Sequence, residues 1–234
     1  MSAPKHIGII LDGNRRFAKK IMLKPWKGHE LGAGKFKKFL EWCLEAGVEE
    51  VTAYCFSIQN FNRPKEEFDH IMRIASSEIE SWLEDEKLKE FKEKGVAIRI
   101  VGRVWMLPER VQELARKIME ATKNNTPRKV NLALAYGGRE EIIDAVKKIA
   151  KKATLGEINP ETIGEAEIWQ NLQVQSPPDI IIRTGGERRT SNFLPWQGTY
   201  SELIFLDKHW PEIEKQDFLD CIEEFKRRER RFGK

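Results

Sequence analysis

The chain has 234 residues, with 41 Lys plus Arg against 37 Asp plus Glu and a formal charge of +4. Apolar residues make up 40% and charged residues 33%, a globular balance that excludes a disordered tail, a collagen and a disulfide scaffold. The three cysteines (Cys43, Cys55, Cys221) are odd in number and far apart, so they read as reduced thiols of a cytoplasmic protein.

Short apolar runs recur along the chain at Ile7–Leu11, Val51–Phe56, Ala97–Val101, Val130–Ala135, Asp179–Ile182 and Leu203–Leu206. Runs of four to six residues rich in Ile and Val suit strands buried on both faces. Helical patterns lie between them. The clearest is Phe68, Ile71, Met72, Ala75, Ile79, Trp82 and Leu83, with i, i+3/i+4 and i+7 spacing in a Glu/Lys-rich background. Alternating strands and helices predict one α/β domain over residues 1–234, with a mostly parallel six-stranded sheet flanked by helices. The segment Thr154–Pro160 is the loosest stretch, but the pattern resumes after it.

Ligands of such sheets bind beyond the carboxyl ends of the strands. The turns expected there are Asp12-Gly-Asn-Arg-Arg16, Ser57 to Arg63, Gly102-Arg103, Gly137-Gly-Arg139 and Arg183 to Arg189. Each carries arginine, and most carry Gly or Asn. One such arginine is ordinarily a solvated surface residue. Five on one rim point to an anion site, most naturally for phosphate.

Several phosphate and metal motifs fail. Gly32-Ala-Gly-Lys35 lacks P-loop spacing, and Lys37 occupies the last glycine position of G-x-G-x-x-G. The histidines are scattered without zinc spacing, and no Asp-Asp pair occurs, so the aspartate-rich motif of trans-prenyl synthases is absent. Asp12 at a strand end remains, with Glu202 arriving from the sixth strand. Hard oxygens near phosphates favour Mg²⁺. Asp-Gly is also a common turn pair, and spacing alone leaves both readings of Asp12 open.

Longer signatures are more specific. His6-Ile-Gly-Ile-Ile-Leu-Asp-Gly-Asn-Arg-Arg-Phe-Ala18 resembles the first signature of the cis-prenyltransferases, the undecaprenyl and dehydrodolichyl diphosphate synthase family. Tyr54 to Pro64 resembles the second. Arg183 to Gln197, continuing through Tyr200-Ser-Glu202 to Trp210-Pro211, resembles the last block. Order and spacing hold from about Lys5 to the C-terminus.

The resemblance implies a Mg²⁺-dependent condensation of isopentenyl diphosphate with an allylic prenyl diphosphate, farnesyl or geranylgeranyl, in a homodimer. By the same resemblance Asp12 is the catalytic aspartate and a metal ligand, with Glu202 the second metal carboxylate. Gly13, Asn14, Arg15 and Arg16 wrap the allylic diphosphate beside His29. Ser57, Asn60 and Arg63 form a mobile segment between the substrates, with Asn60 at the chemistry and Phe61 against the prenyl chain. Glu67 steers that segment. Arg183, Arg189 and Ser191 hold isopentenyl diphosphate, and Arg231 and Gly233 form an R-x-G motif that reaches the partner subunit.

The growing product would need an apolar tunnel between sheet and helices. The stripe Phe68, Ile71, Met72, Ala75, Ile79 and Trp82, with Cys55 and Val51, could line it, although core packing explains the same pattern. Pro25, Gln59 and Arg188 depart from the usual family residues, the first where arginine is common. Alternative readings are a short-chain enzyme, transfer to another lipid acceptor, or a non-catalytic partner subunit. Such silent subunits generally lack the Asp12, Asn14 and Arg16 set. No run reaches the roughly 18 apolar residues of a membrane span. The basic stretch Lys226–Arg231 reads as a solvated helix end or a peripheral membrane patch. Interleaved charge leaves no stripe for nucleic acid.

Overall fold

The computed structural model describes residues 3–228. Its strands are β1 (His6–Ile10), β2 (Glu50–Ser57), β3 (Val96–Val101), β4 (Arg128–Tyr136), β5 (Ile180–Arg183) and β6 (Glu202–Phe205). They form one six-stranded sheet in the order β3-β4-β2-β1-β5-β6. Every pairing is parallel. The α/β architecture expected from the apolar runs is therefore present, and the sheet is wholly rather than mostly parallel.

The helices are α1 (Asn14–Lys20), α2 (Pro25–Glu45), α3 (Lys65–Trp82), α4 (Asp85–Glu93), α5 (Glu109–Thr122), α6 (Gly138–Thr154), α7 (Glu165–Asn171) and α8 (Lys215–Arg227). Proline at the first position pre-sets the entry of α2, and Glu66 and Glu67 in the first turn of α3 suit its positive end. Side chains alternate across the strands. Ile7, Ile9, Val51, Ala53, Ile180 and Ile182 pack with buried residues of α2, α3, α5 and α8, including Phe39, Ile79, Ile118 and Phe218. Ile10, Tyr54, Ala133 and Ile181 join a smaller cluster with Val174, Phe193 and Leu194.

The strand order decides where a ligand can sit. The chain leaves β1 toward β2 on one side, and leaves β5 toward β6 on the other. The carboxyl ends of these two adjacent strands, paired at Ile10 and Arg183, therefore open a crevice between diverging connections.

Candidate active site

Asp12 lies two residues beyond β1. Its Oδ2 accepts from Arg183 Nη2 at 2.8 Å, its Oδ1 lies 3.0 Å from Arg16 Nη2, and the Gly13 amide donates to Oδ1 at 2.6 Å. Burial works against the charged carboxylate, but the bond and charge of Arg183, helped by Arg16, hold Asp12 below the usual carboxylate range. Thr184, fully buried, donates its hydroxyl to the Asp12 carbonyl at 2.7 Å. Gly13 caps α1 with φ 104°, and a β-carbon there would lie 2.7 Å from the His209 side chain. Gly28 of α2 passes so close to α1 that a β-carbon would meet the Asn14 carbonyl at 2.0 Å. That contact sets Asn14 at the join of the two helices.

Arg183 is 5% exposed. Its Nη1 donates to the Arg189 carbonyl at 2.5 Å and to Ser191 Oγ at 2.7 Å, while its buried Nε has no partner among the described residues. The segment after β5 holds Ser191 and Asn192 in the left-handed region, with φ 51° and 66°. Asn192 fastens it to α6, accepting from the Arg139 amide at 2.8 Å and donating to Glu140 at 2.9 Å.

A second cluster lies at the start of α3. Glu67, 4% exposed, accepts from Arg63 Nη1 at 2.7 Å, with Arg15 Nε at 3.6 Å and His29 Nε2 at 3.3 Å. The His29 hydrogen bond and the arginine charges hold Glu67 below the usual carboxylate range, against its burial. Burial pushes the His29 imidazole down, against the pull of Glu67. Ser57 caps a short 3₁₀ turn, Ile58–Asn62, its amide donating to Asn60 Oδ1 within the turn at 3.0 Å. Phe61 turns inward onto Phe56 and Phe68, with centroids 5.2 and 5.6 Å away.

An open pocket of about 1450 Å³ collects Asp12, Gly13, Asn14, Arg15, Arg16, His29, Arg63 and Arg189, with Lys19, Met22, Leu23, Pro25 and Glu187 at its edge. Below it an apolar cleft of about 800 Å³ runs between α2, α3 and the sheet. Phe36, Cys55, Ile71, Ile74, Ala75, Ile79, Leu132 and Leu134 line it, and Trp82 stands at its end. The two share Leu11, Asn14 and His29. A third cleft of about 760 Å³ lies beyond Trp82, which together with Lys37 borders both clefts.

The family described as "Putative undecaprenyl diphosphate synthase" matches residues 10–233. The chain belongs to the undecaprenyl diphosphate synthase family. It is 48% identical to a tritrans,polycis-undecaprenyl-diphosphate synthase (geranylgeranyl-diphosphate specific) of Methanopyrus kandleri, over 99% of this chain and 85% of the relative. A protein of the same description from Thermococcus kodakarensis is 45% identical over 99% and 87%. Among solved structures, lavandulyl diphosphate synthase from Lavandula x intermedia, in complex with dimethylallyl diphosphate, superposes with a TM-score of 0.92. It is 34% identical, covering 100% of this chain and 99% of that one. Members of this family transfer prenyl groups, and the chain is an enzyme of that kind.

Measured against the family signatures, the fold gathers most of the expected residues in or behind one pocket. Arg183 and Ser191 lie behind Asp12 and Arg189, and Glu67 lies under Arg63. Glu202 is different. It opens β6 opposite Ile180, three register positions from the Arg183 level, and its carboxylate receives Arg228 at 2.8 Å. Within the described chain Glu202 therefore lies at the amino rim of the parallel sheet, apart from Asp12.

Two of the five arginine turns also stand apart. Arg103 is locked in a two-point fork with Asp144, both contacts at 2.9 Å. Arg139 lines a separate shallow pocket with Gln59 and Asn192. Arg231 and Gly233 lie outside the described residues. The sequence reading passed over Thr184 and Asn192, which position Asp12 and Ser191. Their only sequence signal is adjacency to Arg183 and Ser191. Among the described residues no helix is long and apolar enough to cross a membrane.

Proposed function

We propose that this prenyl transferase condenses isopentenyl diphosphate with an allylic prenyl diphosphate and releases a cis-polyprenyl diphosphate. The names of the relatives favour geranylgeranyl diphosphate as the primer. The observation that carries the reading is the junction at Leu11, Asn14 and His29, where an arginine-rich pocket opens into an apolar cleft. A prenyl diphosphate has that shape, with an anionic head and a long apolar tail.

In the reaction the C4 carbon of isopentenyl diphosphate bonds to C1 of the primer. The C1–oxygen bond breaks, diphosphate leaves, and a proton is lost as the new double bond forms. Arg15, Arg16 and the Gly13 turn are assigned to the primer head, which the pocket they line supports. Arg183, Arg189 and Ser191 are assigned to isopentenyl diphosphate, the unpaired Nε of Arg183 offering a donor. Preorganised positive charge around the leaving group is the largest expected lever, and alignment of two bound substrates the next. Asn60, on its 3₁₀ turn, is assigned to the segment between them.

Asp12 fits a Mg²⁺ site: it is ionised and part-exposed at the pocket, and that ion uses one or two carboxylates and takes its remaining ligands from phosphate and water. Among the described residues no group of three His, Cys, Asp or Glu forms an all-protein cage. Bound Mg²⁺ would neutralise diphosphate charge beside Asp12. A homodimer in which Arg231 and Gly233 serve the partner's pocket completes the proposal.

The likeness to lavandulyl diphosphate synthase favours a second reading, a short-chain condensation. The apolar cleft follows α3 from Ile71 to Trp82, about 16 Å of helix and longer than a five-carbon tail, which favours elongation. Labelled isopentenyl diphosphate, a primer panel and Mg²⁺, with an EDTA control, separate the two. A Mg²⁺-dependent ladder in five-carbon steps is expected. A single ten-carbon product would establish the short-chain reading, and no incorporation would overturn both.

A further inference from the structure

The connection between α1 and α2 forms an exposed apolar tip at the mouth of the pocket. Ile21, Met22 and Leu23 are all exposed, Met22 at 94% and with its backbone in the left-handed region at φ 57°. Met22 and Leu23 also line the open pocket, so the tip is both rim and surface. Lysines flank it. Lys20 is held by Glu212 at 2.6 Å and Lys27 by Glu30 at 2.7 Å. Lys19 and Lys24 have no carboxylate within ion-pair distance among the described residues, and Lys24 lies 4.9 Å over the Trp26 ring.

An exposed apolar tip ringed by lysines, with an indole beneath, matches the boundary of an anionic bilayer: apolar groups enter the headgroup layer and ammonium groups meet lipid phosphates. A second copy of the same tip would instead bring lysine against lysine. We propose that residues 19–26 are the surface by which the protein rests on an anionic membrane, with the pocket mouth facing the lipid. What that contact would accomplish rests on the function proposed above. A reaction that turns soluble diphosphates into a long prenyl chain gains from releasing it against a bilayer.

The test is flotation of the full chain, without substrate, with phosphatidylglycerol-containing or pure phosphatidylcholine vesicles at low and high salt. The wild type should float with anionic vesicles at low salt and much less with the others. Met22→Asp should weaken binding about tenfold, roughly the cost of failing to bury one such side chain. Lys19→Glu combined with Lys24→Glu should abolish the preference for anionic lipid. A thermal melt checks that these exposed changes leave the fold intact. Undiminished binding by Met22→Asp, or loss only on changing Lys226 and Arg227, would overturn the proposal. So would a tip variant that alters oligomer size but not flotation. Because no substrate is used, an inactive chain that floats counts against the function alone, and an active chain that does not float counts against the membrane surface alone.

Discussion

Asp12 and Arg183 are 171 residues apart in sequence, yet the Arg183 guanidinium donates to the Asp12 carboxylate at 2.8 Å. The contact joins the carboxyl ends of β1 and β5, and each residue depends on the other. Arg183 keeps Asp12 ionised despite burial, and Asp12 compensates a guanidinium that is almost fully enclosed.

Asp12→Asn keeps the shape but removes the charge. It is expected to lower kcat by about 10²–10³, the scale seen when one preorganised electrostatic group is lost, and to cost about 3 kcal/mol of stability because the enclosed Arg183 loses its countercharge, so activity is read at a temperature where the variant is folded. Arg183→Lys should act mainly on the KM for isopentenyl diphosphate, because a point charge cannot reproduce the contacts to Asp12, Arg189 and Ser191 together. Steady-state kinetics with each substrate varied in turn checks both. Near-normal turnover in Asp12→Asn would remove it from the chemistry.

Glu67 is the countercharge for Arg63 and Arg15 and lies under His29. Glu67→Gln leaves two guanidinium groups and one imidazole around a neutral amide. A loss of about 1–3 kcal/mol of stability is expected, the range for an unmatched partner in a buried polar contact. Denaturant melts measure it. The same variant should raise the KM for the primer, since Arg63 is then no longer held at the pocket wall. A primer KM equal to wild type would separate the cluster from substrate binding.

His6 gives the fold an acid limb. Its ring is buried, with Nε2 2.8 Å from Thr52 Oγ1, and burial lowers its pKa against the opposing pull of Glu50 and Asp179. The unfolded chain takes up this proton near pH 6.5, before the folded protein does. Stability is therefore full above that value and falls as the pH drops below it, by at most about 1.4 kcal/mol per unit from this residue. His29 contributes with the same sign. Urea melts at pH 7.5 and 5.5 should show a smaller loss in His6→Gln than in wild type. Equal losses would mean that His6 titrates alike in both states.

Much of the sheet could be read from the Ile and Val runs, because a strand buried on both faces has little choice of residues. Each of the six runs became a strand within a residue or two. Strand order was not legible, since it depends on which way each crossover packs. Asp12 and Arg183 were each legible as strand-end residues, and the resemblance gave them separate roles, but their pairing was not legible, as nothing local connects residues so far apart. The position of Glu202 was legible: a strand expected to begin at Leu203 already put it at the amino end, apart from Asp12 within the described chain.

The stripe on α3 was ambiguous for a physical reason. An amphipathic face is defined by its apolar side chains, not by whether its neighbours touch them or stand back. Ile71, Ala75, Ile79 and Trp82 border the cleft, Phe68 and Met72 are not among its lining residues, and Val51 lies on the cleft beyond. The spacing of α2 and α3 decides this, and it appears only in the fold.

The central claim is that the prenyl tail runs from the arginine pocket down the cleft and ends against Trp82, and product length measures it most directly. Trp82→Ala would remove a wall shared by the cleft and the cleft behind it. Mass spectrometry of products from wild type and Trp82→Ala, with the same primer and a large excess of isopentenyl diphosphate, should show the distribution shifted upward by one or more five-carbon steps. An unchanged distribution from a folded, active Trp82→Ala enzyme would contradict the path assigned to the chain.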